Sequence, residues 1–263
     1  IPRLKNTKAN FSDSTVKLLY LPNANNQLTY THFYSKDFYQ LDLISSIENI
    51  VSSSNQYDFG TSNHTLRWLH GFENNTNLVG TLVHSSYLPK NLFPEIDSSN
   101  VIQFESQIQY TSAQFEYKDN RKDEFDYYAG IQFNQYNINP GSLDPGSGNS
   151  IIPVDLSKEK SQQFSFFTNF NWNLSKRLSI SSGIRLTHFS LLGPYDQGLY
   201  NKDGFFGGFN TIASNESIAS YTNPEPRLGL NYKLGENSSL KMSYASIYQY
   251  IQNIYNTSTP LPT

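Results

Sequence analysis

Residues 101–110 read VIQFESQIQY. Even positions carry Ile102, Phe104, Ser106, Ile108 and Tyr110, and odd positions carry Gln103, Glu105, Gln107 and Gln109. Side chains of an extended chain alternate between two faces, so this stretch predicts a strand with one apolar and one polar face. The period continues toward the C-terminus. Phe125, Tyr127, Ala129, Ile131 and Phe133 alternate in 125–133, and Phe164, Phe166, Thr168, Phe170 and Trp172 stand against Ser165, Asn169 and Asn171 in 164–172. Leu178, Ile180, Ile184 and Leu186 oppose Ser179, Ser181, Arg185 and Thr187. Leu228, Leu230, Tyr232 and Leu234 oppose Arg227, Gly229, Asn231 and Lys233, and Leu240, Met242 and Tyr244 oppose Lys241 and Ser243. Weaker alternation lies at 15–21, 27–40, 64–72 and 78–87. The sum is about ten strands, many near the ~9–11 residues with which a tilted strand crosses a bilayer.

The connections alternate in length. Short links fall at 22–26, 73–77, 118–123, 173–177 and 235–238, and long ones at 42–57, 88–100, 138–161 and 191–225. The short links should gather at one rim and the long ones at the other, an asymmetry seen in outer-membrane barrels. Composition narrows the classes further. Of 263 residues, 16% are charged, below the roughly 25% of soluble domains, while 15% are aromatic, with 19 Tyr and 18 Phe. The aromatic load argues against disorder. No apolar run is long enough for a membrane helix. A net charge of −3 with scattered Lys and Arg gives no nucleic-acid footprint. There is no Cys, which removes disulfides, thiolate metal sites and Cys nucleophiles.

None of the apolar sets contains Asp, Glu, Lys or Arg. In a barrel that face meets lipid, where Arg or Lys at mid-depth costs ~2–4 kcal/mol, and the other face lines a polar lumen. The reading is therefore an all-β, antiparallel transmembrane β-barrel, with about ten strands present as an open partial barrel. Phe104, Ile108, Phe166, Phe170, Leu230 and Met242 should share the lipid face. Glu105, Arg185, Arg227, Lys233 and Lys241 should face the lumen, with Gln107 and Asn169. A soluble carbohydrate-binding β-sandwich also alternates. Long strands, many rings and sparse charge disfavour it.

Residues 225–252, EPRLGLNYKLGENSSLKMSYASIYQYIQ, continue as NIYNTSTPLPT to residue 263. This stretch resembles the mid-barrel region of TonB-dependent outer-membrane receptors of the Bacteroidetes-type subgroup. There a Pro-Arg-Leu strand, a polar turn, a Ser-Tyr strand and a Tyr-Gln-Tyr-Ile stretch precede an Asn/Thr-rich loop. Residues 29–41, TYTHFYSKDFYQL, resemble an earlier hairpin of that group. The resemblance implies a 22-stranded, plugged barrel in the outer membrane. Its plug would precede residue 1 and its remaining strands would follow residue 263. It also implies uptake of iron chelates, cobalamin or glycans, energised through TonB by a box ahead of the plug. Residues 1–263 would then be a partial barrel that transports nothing alone. Ile1-Pro2-Arg3 is no secretory signal, and 258–263 read as mid-loop, consistent with an internal piece.

Enzyme signatures are weak. His32, His64, His70, His84 and His188 form no HExxH or HxH pattern, and the first three fall in phase with apolar positions, so no metal site and no cofactor are expected. An Asp196–His188 pair at a rim would suit a complete ten-stranded outer-membrane hydrolase. That reading requires residues 15–21 to ladder with 239–250. Neither a GxSxG elbow nor a phosphate cradle occurs. Asp144-Pro145-Gly146-Ser147-Gly148-Asn149 reads as a loop tip. The loop 193–210, GPYDQGLYNKDGFFGGFN, offers Tyr195, Tyr200, Phe205, Phe206 and Phe209 as candidate ligand-stacking rings, or as rings that pack loop on loop. Tyr244, Tyr248 and Tyr250 read as an interfacial girdle. The expected partners are outer-membrane lipid, TonB and a small-molecule or glycan substrate.

Overall fold

The computed structural model describes residues 7–41, 45–47, 50–96, 100–122, 124–148 and 151–251. Ten strands form one antiparallel sheet in chain order: β1 (Lys8–Asn23), β2 (Asn26–Leu41), β3 (Asn55–Gly71), β4 (Thr76–Pro94), β5 (Val101–Lys122), β6 (Phe125–Asp144), β7 (Glu159–Asn173), β8 (Leu178–Leu192), β9 (Ser217–Lys233) and β10 (Ser239–Ala245). A two-residue strand, Val154–Asp155, extends the end of β6. Small hairpins occupy two long links, Ser45–Ile47 with Ile50–Ser52 and Tyr195–Tyr200 with Phe206–Ile212. Among the described residues β1 and β10 do not pair, so the sheet is an open meander and the closed ten-stranded enzyme is set aside.

An antiparallel meander sends alternate links to opposite rims, which puts the short and long links where their lengths predict. Some bounds differ. β5 has 22 residues and β6 has 20, well past a single crossing. β4 runs on to Pro94 and takes up half of the expected 88–100 loop, and Glu95 N–H donates to Asn100 O at 3.0 Å. β1, whose alternation showed only at 15–21, spans 16 residues, and β10 stops after 7, at Ala245 and short of residue 250.

Cross-strand partners share a face, which lets the registers trace one row around the sheet. Pro224, Leu186, Phe166, Ile131, Phe115, Gly80, Trp68, Leu28 and Tyr20 are successive partners. Phe115, Ile131, Phe166 and Leu186 are each about half exposed, so this apolar face is not the inside of a globule. Rows on either side add Ala113, Phe133 and Phe164, and Phe170, Leu228 and Tyr244. Together they make an outward apolar band, uncharged except where the Phe170 row runs through Tyr127 to Asp119, which pairs with Arg121 at the short-link edge. Alternation makes the opposite, inward face polar: Ser165, Asn169, Arg185, Thr187, Arg227 and Asn231.

The stretch 101–110 departs from its expected facing. Phe104 pairs with Asn91, and Glu116 with Val79, through one unbroken β4–β5 register. Phe104 and Ile108 therefore share the inward face with Glu116, opposite to Phe166. Glu105 and Gln107 point outward, opposite to Arg185. The alternation inverts above the apolar band. There Ile102 and Phe104 are buried with Phe93, against Leu143 and Ile151, under the long-link rim. Their removal from water outweighs any strand-wide pattern. Glu105 meanwhile pairs with Lys90 at 3.0 Å. A register slip between Glu105 and Gln107 accommodates the cluster. It brings Gly141 beside Phe104, where a Cβ would lie 2.5 Å from the ring. In the purified protein, Glu105→Cys is expected to react readily with a maleimide. Phe104→Cys should react far more slowly, because Phe104 is buried. Equal labelling would contradict this facing.

Candidate functional site

The inward face is held by hydrogen bonds among fixed charges. Ser165 and Thr187 are fully buried, their hydroxyls 3.2 Å apart, and Thr187 Oγ1 donates to Glu225 Oε1 at 3.1 Å. Glu225 is also buried, with Arg227 Nη2 at 3.9 Å from its Oε2. Burying a carboxylate is tolerable only with such partners. Arg185 lies 5.0 Å from the centroid of the Phe167 ring and donates from Nη1 to Gln132 Oε1 at 3.0 Å. A cavity of about 180 Å³ opens here, lined by Gln114, Glu116, Tyr128, Phe167 and both arginines. Gly130 makes room for Phe167: a Cβ there would meet Phe115 O at 2.5 Å and the Phe167 ring at 2.6 Å. Of the residues expected on this face, Arg185, Arg227, Lys233 and Lys241 share it by register, and Glu105 does not.

Higher on the same face runs a line of rings that the sequence reading missed. Tyr39 and Tyr57 are 6.4 Å apart, Tyr57 and Phe59 6.3 Å, and Phe59 and Tyr87 6.5 Å. Their strands alternate weakly, since both faces carry polar residues, so the inward rings gave no contrast. The signal available was the Tyr57/Phe59 spacing of two. Tyr250 also belongs inward. After β10 the chain leaves the sheet, and Tyr250 stacks on Phe189 at 5.0 Å with its rings 7° from parallel, accepting from Asn223 Nδ2 at 3.1 Å. It is no part of an outward girdle. Tyr244 does face outward, in the row of Tyr127 at the short-link border, where Trp172, Phe125 and Tyr117 also face outward.

The long-link rim carries the candidate stacking loop as a hairpin. Tyr200 pairs with Phe206, and Phe206 packs edge-on against Phe209 at 4.9 Å and Tyr200 at 5.8 Å. Gly198, opposite Phe209, leaves space for Tyr200, whose ring would sit 3.2 Å from a Cβ there. Three of the five expected rings thus form one exposed cluster. Tyr195 sits apart at the hairpin base, paired with Ile212, and Phe205 lies at the tip, 71% exposed. Asn201 ties the tip, its Oδ1 accepting from the backbone of Asp203 and Phe205. The neighbouring tip at 144–148 is likewise pinned, by Asn100 Nδ2 donating to Pro145 O at 2.8 Å and Ser147 N–H donating to Asn100 Oδ1 at 2.9 Å.

Among the described residues the expected His188–Asp196 pair does not form. His188 bonds Thr222 at 2.8 Å and Ser190 at 3.2 Å, whereas Asp196 accepts from Thr211 at 2.6 Å. The arrangement can bind and orient a polar or ring-bearing ligand.

No curated protein matches this sequence. Solved structures do resemble it. The copper transporter OprC superposes with a TM-score of 0.68 at 12% identity, covering 93% of this chain and 38% of that one. The ferric-catecholate import receptor Fiu from E. coli K12 gives 0.59 at 12% identity, covering 92% and 47%. The ferric yersiniabactin uptake receptor FyuA from Yersinia pestis gives 0.60 at 14%, covering 87% and 36%. At these identities the likeness is one of fold, and the chain spans less than half the length of each. The family model described as "TonB dependent receptor-like, beta-barrel" matches residues 5–262. The chain therefore belongs to the TonB-dependent receptor-like β-barrel family, a family of receptors and transporters rather than enzymes.

Proposed function

We propose that residues 1–263 are part of the barrel wall of an outer-membrane receptor that imports a nutrient with energy relayed through TonB. The observation that carries this reading is the two-faced sheet: an apolar band outward and a hydrogen-bonded polar wall inward, within a receptor family. In this proposal the band meets lipid. Arg185, Arg227, Lys233 and Lys241 line the lumen, and a plug domain and further strands lie outside these residues. Tyr195, Tyr200, Phe205, Phe206 and Phe209 serve as external ligand contacts, with the Tyr200–Phe206–Phe209 cluster the main one. The substrate class is an iron chelate, cobalamin or glycan. The similarity in fold to a copper transporter and to ferric-catecholate and ferric-yersiniabactin receptors favours a metal or metal chelate.

The test uses the full-length receptor in cells offered a labelled ferric catecholate, cobalamin or an oligosaccharide in turn. One should accumulate, and only while TonB is present. Replacing Tyr200, Phe206 and Phe209 together by Ala should weaken its binding about ten-fold or more, from ~0.5–1.5 kcal/mol per ring. Accumulation indifferent to TonB would overturn the proposal.

A further inference from the structure

All five histidines lie on the outward face, at the two borders of the apolar band. His70 stands at the short-link border beside Trp68 and Phe72, its Nδ1 2.9 Å from Asn26 Oδ1. The other four stand at the long-link border. Three of them are direct cross-strand neighbours: His32 of β2 pairs with His64 of β3, and His64 with His84 of β4. The His32 and His64 rings stack with centroids 4.4 Å apart and planes 17° from parallel. His64 Nδ1 lies 2.8 Å from Tyr30 Oη, and its Nε2 lies 3.3 Å from Ser62 Oγ. His84 Nδ1 lies 3.0 Å from Thr111 Oγ1. The row beneath is Leu18, Tyr30, Leu66, Leu82 and Ala113, which is apolar but for one phenol. The row above is Ser14, Tyr34, Ser62, Ser86 and Gln109.

Imidazole is the side chain that gains charge between pH 5 and 8. Adjacent protonated rings repel, so charging this row calls for an anion. Among the described residues, the flanking rows supply none. Among the described residues, the groups facing the row from β1 are Ser14, Val16 and Leu18, and from β5 Gln109, Thr111 and Ala113. From β2, β3 and β4 the titratable groups in the flanking rows are Tyr30 and Tyr34 alone. Asp13 and Lys17 belong to the opposite face. The outward carboxylates above, Asp58 and Glu105, are already paired with Lys36 at 3.4 Å and Lys90 at 3.0 Å.

We propose that His32, His64 and His84 form a seat for the phosphate of anionic lipid headgroups, one that tightens as pH falls. The inference rests on the outward band meeting lipid. Headgroup phosphates then lie level with the row, and each protonated imidazole supplies two N–H donors to them.

The experiment uses the full-length receptor in nanodiscs of phosphatidylcholine with a minor share of phosphatidylglycerol. Native mass spectrometry counts retained phosphatidylglycerol at pH 5.5 and pH 8. Reconstitution itself tests the membrane reading, and the pH ratio tests the row. Retention should rise about five-fold per charge gained, the equivalent of ~1 kcal/mol per cation at an anionic surface. The triple variant His32→Gln/His64→Gln/His84→Gln should hold the pH 8 level at both pH values, and His70→Gln should keep the wild-type ratio. If the triple variant fails to assemble, His64→Gln alone should show a reduced ratio. Equal retention at both pH values, an undiminished ratio in the His64→Gln or triple variant, or loss of the ratio in His70→Gln would each overturn the proposal. So would Zn²⁺ occupying the row with lipid retention unmoved, which would make it a metal site.

Discussion

Phe166→Arg in the full-length receptor is expected to cost ~2–4 kcal/mol of barrel stability, the penalty for Arg near the bilayer midplane. Phe166 sits in the middle row of the outward band, between Leu186 and Ile131, and is 48% exposed in this chain. No outward carboxylate lies in that row to pair with the new charge. Asn169→Arg, on the inward face of the same strand, should cost well under half as much. Its neighbours there are the polar residues around Arg185 and Arg227. The measurement is urea unfolding of the reconstituted receptor, followed by tryptophan emission. Equal costs for the two variants would show that the sheet's two faces are not lipid and lumen.

The second large effect is expected at Gly130. A Cβ there would lie 2.5 Å from the Phe115 carbonyl oxygen and 2.6 Å from the Phe167 ring. The carbonyl belongs to a neighbouring strand and cannot withdraw, so the ring and the strand pair must both shift. Overpacking of this kind costs ~1–3 kcal/mol. Gly130→Ala should therefore destabilise the receptor by that amount and displace Phe167 from under Arg185. Gly207→Ala is the matched control. It lies in the rim hairpin, where the nearest atom to a new Cβ is 3.7 Å away. It should be nearly neutral. A Gly130→Ala receptor as stable as the control would mean that Phe167 has room the structure does not give it.

Much of the site was legible only in part. The loop 193–210 advertised its rings by composition. That Tyr200, Phe206 and Phe209 meet while Tyr195 and Phe205 do not follows from the hairpin's register, which slips between Leu199 and Tyr200. Tyr250 read as a girdle residue because it continues an aromatic run. The chain leaves the sheet after Ala245, which carries that ring to the other face. Glu225, the best-buried carboxylate of the inward wall, was missed because a Glu flanked by Pro224 and Pro226 reads as a loop. Nothing local reveals that Thr187 on the next strand will meet it.

The sequence by itself determined that this chain is a meander of strands with short links at one rim and long links at the other. Period-two alternation is a property of each strand's own backbone, and link lengths are counted along the chain. It also determined the apolar band, since the apolar sets around Phe166, Ile184 and Leu230 needed no partner to be recognised. Only the tertiary structure decided which face each alternating set takes. Ile102 and Phe104 alternate as cleanly as Phe164 and Phe166, yet they point the other way. Facing is set by the solvent on each side at a given height. Above the band the outward side favours Glu105 and Gln107, and the rim shelters the rings inside. Height along the wall comes from the registers of neighbouring strands. The same registers, and not any motif, set His32, His64 and His84 side by side.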